Sequence, residues 1–358
     1  MKKVCWISNA PAPYKVAMMN QFGRKVDLLC LFETVAETDR EKTWYNYEFS
    51  SFKGIYLNPG DAKETVRKAA SECDCLINSD YSKPICMYAV RQFHKHHKKT
   101  FLQADGGLAI PRGPIDKIIS LVMKQNDWFL SSGAEVDKYF KYYGIPQERI
   151  LHYRLACMDN SELLNAKKKR ALKEEYRFKC GFQEKTVLLS VGQQIPRKGY
   201  DVLAEAMCSV KGDVGLYIIG GEPEENVLNI INRNNLANIH FIPFKTKEEL
   251  SEYYAGADIF VLPTRYDIWG LVINEAMAYG LPIISTDKCI AAVELNNRFH
   301  NSVIVPVEDP SALAKAITSL TNDSEALSVY GDRSLSGIQE YSIENMCEDF
   351  TNLIETYS

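Results

Sequence analysis

No CxxC pair occurs among the ten cysteines of this 358-residue chain. The one close pair, Cys73-Asp74-Cys75, lacks the spaced partners that a zinc site shows. Reduced, mostly buried thiols of a cytosolic protein are expected instead. Basic charge is not in surplus either: 42 Lys and Arg face 46 Asp and Glu, for a net charge of −4. That balance argues against nucleic acid as a partner, because binding to phosphate backbones needs a basic face. Long hydrophobic runs are missing. The apolar stretch inside MKKVCWIS is too short for a signal peptide, and no window approaches the roughly 20 residues of a membrane span. Peripheral contact with a membrane stays open. There is no internal repeat and no low-complexity tract. Absent too are the G-x-x-x-x-G-K-[ST] phosphate loop and the G-x-G-x-x-G of dinucleotide binders, which argues against nicotinamide and flavin chemistry.

What is there is a regular alternation. Short runs of Val, Ile, Leu and aromatics alternate with helix-period segments, the pattern of βα units around parallel sheets. A first set of strands is predicted at 3–8, 26–32, 75–78, 100–104, 127–131 and 150–153. A charged stretch at 165–179 follows, and then a second set at 186–191, 214–219, 239–243, 258–262, 282–285 and 303–305. Strands this apolar belong to sheets covered on both faces. The order predicts an α/β chain of two doubly wound, Rossmann-like domains, with a cleft between them at the C-terminal strand ends. We place the domains at 1–165 and 166–335, with a C-terminal helix at 336–358 packing back on the first.

Two clusters in the second half carry chemistry. In YDIWGLVINEAMAYGLPIIST, Asp267 and Glu275 are separated by seven residues. The segment LVINEAMAY reads as a helix stopped by Gly280, so Asp267 precedes it and Gly270 stands at its start. The free amides and positive dipole end of such a helix suit a phosphate. Asp267 and Glu275 would then take hydroxyls at the two ends of a sugar diphosphate nucleoside. The plain alternative is an Asp N-cap and an ordinary helical Glu. In VGQQIPRKGYDVLAEA, Arg197 and Lys198 fall where a helix begins. Two cations there oppose the helix dipole and gain only if an anion is bound; a solvated basic turn is the alternative.

Taken together, VGQQIPRKG, YIIGGEPE, FIPF with ELSEYYAGADIFVLPTRYD, and WGLVINEAMAYGLPIIST resemble, in order, the retaining nucleotide-sugar glycosyltransferases of family 4, which have the two-domain GT-B fold. The last segment resembles the family's Glu-x7-Glu signature, here Asp267 and Glu275. The resemblance implies that Asp267 and the backbone near Trp269, Gly270 and Leu271 hold the donor sugar and diphosphate. It also implies that Glu275 binds the ribose and that Arg197 and Lys198 neutralise the leaving group. Gln193, Gly220, Gly221, Pro243 and Phe244 complete the implied donor site. Asp267 departs from the family's Glu by one methylene, about 1.5 Å of reach. Gln193 stands where the family often has Arg, which shifts its load to Arg197 and Lys198.

The first half offers SNAPAPYK and QADGG, two strand-end loops. Their prolines and glycines are also ordinary turn residues. In a functional reading, Asp105 orients the reacting hydroxyl or steadies the anomeric centre, Gly106 and Gly107 leave room for the donor, Asn9, Tyr14 and Lys15 line the acceptor side or the cleft, and Lys15 reaches an acceptor phosphate. The histidines of FHKHHKK (His94, His96, His97) read as a solvated or membrane-facing basic face rather than metal ligands.

No Asp-x-Asp metal handle occurs, which fits a metal-independent reaction without cofactor, and the resemblance implies that the transfer is retaining. The donor would be a UDP or GDP sugar and the acceptor a glycan or polyprenyl-linked molecule. The expected role is bacterial surface-polysaccharide synthesis (capsule or lipopolysaccharide), in the cytoplasm or at the inner face of the plasma membrane. A sugar-nucleotide epimerase and a catalytically silent nucleotide-binding protein remain alternatives at this point.

Overall fold

The computed structural model describes residues 1–35, 48–107 and 109–358, which divide into two compact units. The N-terminal unit comprises Met1–Cys157 and Ile343–Ser358, and the C-terminal unit Met158–Ser342.

The N-terminal unit runs β1 (Lys3–Ser8), α1 (Pro13–Phe22), β2 (Asp27–Phe32), β3 (Lys53–Tyr56), α2 (Ala62–Glu72), β4 (Cys75–Asn78), α3 (Pro84–Lys95), β5 (Lys99–Ala104), α4 (Ile115–Met123), β6 (Trp128–Ser131), α5 (Ala134–Tyr142) and β7 (Ile150–His152). Its seven strands lie in the order β3-β2-β1-β4-β5-β6-β7, and every pair is parallel. Side-chain alternation along β1 shows why both faces are covered. Cys5 and Ile7 pack with Val66, Ala69, Val90 and Phe93 of α2 and α3. Trp6 points the other way, edge-on to Phe22 and Phe350 at centroid distances of 6.1 and 5.2 Å.

Phe350 belongs to the last helix, α15 (Ile343–Tyr357), which this aromatic cluster holds on the N-terminal unit. Its second tie is charged: Asp349 accepts from the Arg154 amide at 2.9 Å and from the guanidinium at 2.8 and 2.5 Å. Asp349→Ala strands a half-buried guanidinium. It should lower unfolding stability by about 2 kcal/mol in denaturant titrations.

The C-terminal unit runs α6 (Asn160–Arg170), α7 (Lys173–Lys179), β8 (Thr186–Val191), α8 (Tyr200–Met207), β9 (Val214–Ile219), α9 (Glu225–Asn234), β10 (Ile239–Ile242), α10 (Lys247–Gly256), β11 (Ile259–Leu262), α11 (Leu271–Ala278), β12 (Ile283–Thr286), α12 (Ile290–Phe299), β13 (Ser302–Val305), α13 (Pro310–Thr321) and α14 (Ser324–Gly337). Strand order is β10-β9-β8-β11-β12-β13, again parallel throughout. Leu188, Leu216, Ile218, Ile259, Val261 and Ile284 of the sheet meet Leu203, Met207, Leu313 and Ile317 of the helices in one core. Both sheets are doubly wound.

Three details differ from the sequence reading. Strand β3 was not among the expected strands: KGIY carries a lysine and a glycine and is only partly buried at the sheet edge, so no apolar run marks it. The units divide at Cys157 rather than at 165, because α6 is tied into the C-terminal unit. There Lys247 Nζ lies 2.5 Å from Glu162 Oε1, and Arg170 donates to the Ala255 carbonyl at 3.0 Å. At the other end only residues from Ile343 return to the N-terminal unit; Ile338 is buried in the C-terminal one. All ten cysteines are free thiols, and all but Cys180 and Cys208 are buried.

Candidate functional site

In a doubly wound sheet, ligands bind outside the carboxyl ends of the strands where the strand order reverses. In the C-terminal unit that point lies between β8 and β11, which pair directly while β9 follows β8 on the other side. The loops leaving these two strands carry Arg197, Lys198 and Asp267.

After β8 the chain passes Gly192, Gln193 and Gln194 into a 3-10 turn, Pro196–Lys198, and Gly199 with φ of +71° then opens α8. The turn is fixed from below. Tyr200 donates to the Gly192 carbonyl at 3.3 Å, and the Thr264 hydroxyl donates to the Arg197 carbonyl at 3.0 Å. After β11, Asp267 is held by its amide, which donates to the Lys288 carbonyl at 2.9 Å. This framework brings Lys198 Nζ to 2.5 Å and Arg197 Nη1 to 3.3 Å from the same oxygen, Asp267 Oδ2. Arg197 also donates to the Tyr266 carbonyl at 2.9 Å and lies over its ring. Lys198 is 8% exposed. Two cations share one carboxylate, so the cluster keeps one net positive charge.

That arrangement corrects one premise of the sequence reading. Arg197 and Lys198 were expected to gain nothing without a bound anion, yet Asp267 is their internal counter-ion. It also separates Asp267 from the plain helix-capping alternative: the N-cap of α11 is Gly270, with φ of +100° and no side-chain cap. The φ of +100° favours glycine at 270, and a Cβ there would also sit tightly, 3.0 Å from Cys289 Sγ. Burial pushes the Cys289 thiol up to about 12, which makes it packing material rather than a nucleophile. The Trp269 indole is buried and donates to Asn274 Oδ1 at 2.9 Å, so only the backbone of Trp269 remains to meet a ligand. Leu271 is the first residue of α11.

Glu275 lies one turn into α11 and accepts from the Tyr254 hydroxyl at 2.9 Å. Burial pushes its carboxyl up, while Tyr254 and the Lys247 ammonium offset part of the rise. An ionised carboxylate accepts from hydroxyls more strongly than a neutral carboxyl, so if Glu275 holds a ligand's diol, affinity should fall as pH drops through the raised value. Tyr254→Phe removes a donor to the charged form and should move that fall to higher pH; nucleotide affinity measured against pH in both proteins checks this.

The other expected donor residues lie on the same rim. Gly220 and Gly221 follow β9, and a Cβ on Gly220 would collide with the Gly192 carbonyl, so the loops after β8 and β9 touch backbone to backbone. Pro243 and Phe244 follow β10, and Phe244 is 42% exposed. Gln193 is partly buried beside Gln194, whose amide nitrogen and oxygen are buried without hydrogen-bond partners among the described residues.

In the N-terminal unit, Asn9, Tyr14 and Lys15 follow β1, and Asp105, Gly106 and Gly107 follow β5. Asp105 accepts from Tyr14 at 3.1 Å, from Tyr153 at 3.0 Å and from Gln103. Gln103 is in turn bonded to Ser79, and Ser79 to Trp6 Nε1, each at 2.9 Å. Lys15 Nζ donates to Asn9 Oδ1 at 3.0 Å and to Ser8 at 3.3 Å, both neutral oxygens. A Cβ on Gly107 would enter the Tyr139 ring. His94 bonds Asp127 at 3.0 Å, whereas His96 and His97 are exposed. Tyr254 and Tyr153, which hold the two buried-side carboxylates, were missed by the sequence reading. Their contacts span elements far apart in the chain, and no local pattern signals them.

Two Rossmann-like units with these rims define a chain of the GT-B class. Residues 173–334 match the model of the family described as glycosyl transferases group 1. An uncharacterized glycosyltransferase of Haemophilus influenzae is 28% identical over 176 residues, 48% of this chain and 49% of the relative. The lipopolysaccharide glucosyltransferase WaaG of Escherichia coli is 31% identical over 123 residues, 33% of this chain and 32% of the relative. The chain thus spans about half the length of the first and a third of the second. Anabaena HepE, solved in complex with UDP, superposes with a TM-score of 0.83 over 99% of this chain and 100% of its own, at 13% identity.

Proposed function

We propose that this protein transfers a sugar from a nucleotide diphosphate sugar to a glycan or polyprenyl-linked acceptor, with retention and without a metal, in surface-polysaccharide synthesis. The observation that carries the reading is the Lys198–Asp267–Arg197 cluster at the strand-order reversal, beside the start of α11. Its residual positive charge and the helix dipole point at one place, where a diphosphate fits. WaaG, whose name states a lipopolysaccharide glucosyltransferase, and HepE, solved with UDP, support the substrate class. A location at the inner face of the plasma membrane follows from a lipid-linked acceptor.

The hard step in such a transfer is departure of the diphosphate, on which charge builds as the anomeric carbon becomes oxocarbenium-like. Arg197 and Lys198, already fixed and largely desolvated, stabilise that charge without reorganisation. Asp267, released from one cation by the incoming phosphate, takes sugar hydroxyls, and Glu275 takes the ribose. The anomeric C–O bond to the diphosphate breaks as the acceptor oxygen bonds on the same face, and the acceptor proton passes to the departing phosphate oxygen. Asp105 orients the acceptor hydroxyl, and Lys15 meets an acceptor phosphate. Incubation with UDP- and GDP-sugars, with and without acceptor, tests the reading. Nucleoside diphosphate released only when acceptor is present supports transfer; a donor converted to an isomeric sugar nucleotide without acceptor would show an epimerase instead.

A further inference from the structure

Helix α4 carries apolar residues on two sides. Ile119 and Met123 face the core with Phe129, Val136 and Phe140. Ile115, Ile118 and Leu121, at intervals of three, are 50%, 61% and 69% exposed, and Ile110 in the preceding loop is 54% exposed. Single exposed apolar residues are ordinary, but four gathered on one helix and its leading loop form a patch that calls for a partner. At about 100° per residue, Lys117 and the C-cap Lys124 lie on the same side as Leu121, about two turns apart along the axis. Both are exposed, as is Arg112, and among the described residues neither lysine forms an ion pair. The one acid of the helix, Asp116, is engaged by the Arg112 amide at 2.8 Å and the Tyr142 hydroxyl at 2.9 Å.

We propose that this face docks on an anionic lipid bilayer. Ile110, Ile115, Ile118 and Leu121 enter the boundary between headgroups and acyl chains, and Arg112, Lys117 and Lys124 meet lipid phosphates, the mode of an interfacial amphipathic helix. Charge decides for this occupant over a second copy of the chain. A self-contact would set two faces against each other that each carry three cations, Arg112, Lys117 and Lys124, and one carboxylate, Asp116, and so are both net positive. No helix among the described residues is long and apolar enough to cross a membrane, so contact by this face is in-plane. The inference rests on the functional reading only in that a lipid-linked acceptor lies at such a surface.

The test is cosedimentation of the full chain with phosphatidylglycerol-containing vesicles and with pure phosphatidylcholine vesicles. Wild type is compared with Ile118→Ser plus Leu121→Ser and with Lys117→Glu plus Lys124→Glu, all at exposed positions. Wild type should bind the anionic vesicles, and either variant pair should weaken that binding by about tenfold or more. Absence of wild-type binding, or variants that bind equally, would overturn the proposal. So would sedimentation showing a wild-type dimer that the Ser pair dissolves, without vesicle binding. UDP and GDP binding measured on the same preparations separates the two readings, since it reports on the C-terminal unit whatever α4 does.

Discussion

Replacing Asp267 by Asn should lower sugar transfer by about 100-fold to 1,000-fold while tightening nucleoside diphosphate binding. On the proposed function, the loss is that of a charged hydrogen bond to the donor sugar and its transition state, about 3 to 4 kcal/mol for a group acting at developing charge. The gain has a separate origin. Asp267 Oδ2 occupies Lys198 and Arg197 at 2.5 and 3.3 Å, so a diphosphate must compete with it for both cations. Asn keeps the shape and removes the competing charge. UDP, which has no sugar to lose contact with, should bind about tenfold more tightly, close to the 1.4 kcal/mol of one charged hydrogen bond regained. A variant that lost transfer and nucleotide binding together would show Asp267 to be a structural keystone instead.

Glu275→Gln should separate stability from binding. Burial raises the Glu275 carboxyl, so the folded state holds that proton more tightly than the unfolded state does. Stability is therefore fully present below the unfolded value and is lost as pH rises through the raised folded value. At neutral pH the ionised carboxylate costs stability that Gln, a neutral isostere, does not. The variant should unfold at a higher temperature than the wild type at pH 7, with little difference at pH 4. Nucleotide binding should weaken by about tenfold to 100-fold, because Gln offers the ribose one uncharged acceptor in place of a carboxylate. Scanning calorimetry at both pH values checks the first effect and titration the second.

How much of this was legible in the sequence divides along physical lines. Strands such as β1 and β9 are written in contiguous apolar residues, and helix α11 ends on Gly280, whose φ of +65° is a local requirement that the sequence states directly. The edge strand β3 is half-exposed and obeys no such pattern. The 157/158 junction is set by ion pairs and carbonyl bonds of α6 to residues about 80 positions away, which composition does not register. Spacing singled out Asp267 and Glu275 as candidates, and residue type singled out Arg197 and Lys198, of which the fold brings Asp267, Arg197 and Lys198 together. That one oxygen of Asp267 joins both cations is a long-range fact, as are Tyr254 against Glu275 and Tyr153 against Asp105. Partners supplied by another element become visible only when the fold brings them together.

Calorimetric titration of UDP, GDP and ADP into the wild type and into Arg197→Ala plus Lys198→Ala tests the central claim most directly. Two charged hydrogen bonds to a diphosphate are worth about 3 to 6 kcal/mol. One nucleoside diphosphate should therefore bind the wild type, and the double variant should bind it at least 100-fold more weakly. Equal binding by both proteins, or binding of no nucleotide by the wild type, would contradict the assignment of this cluster as the donor site.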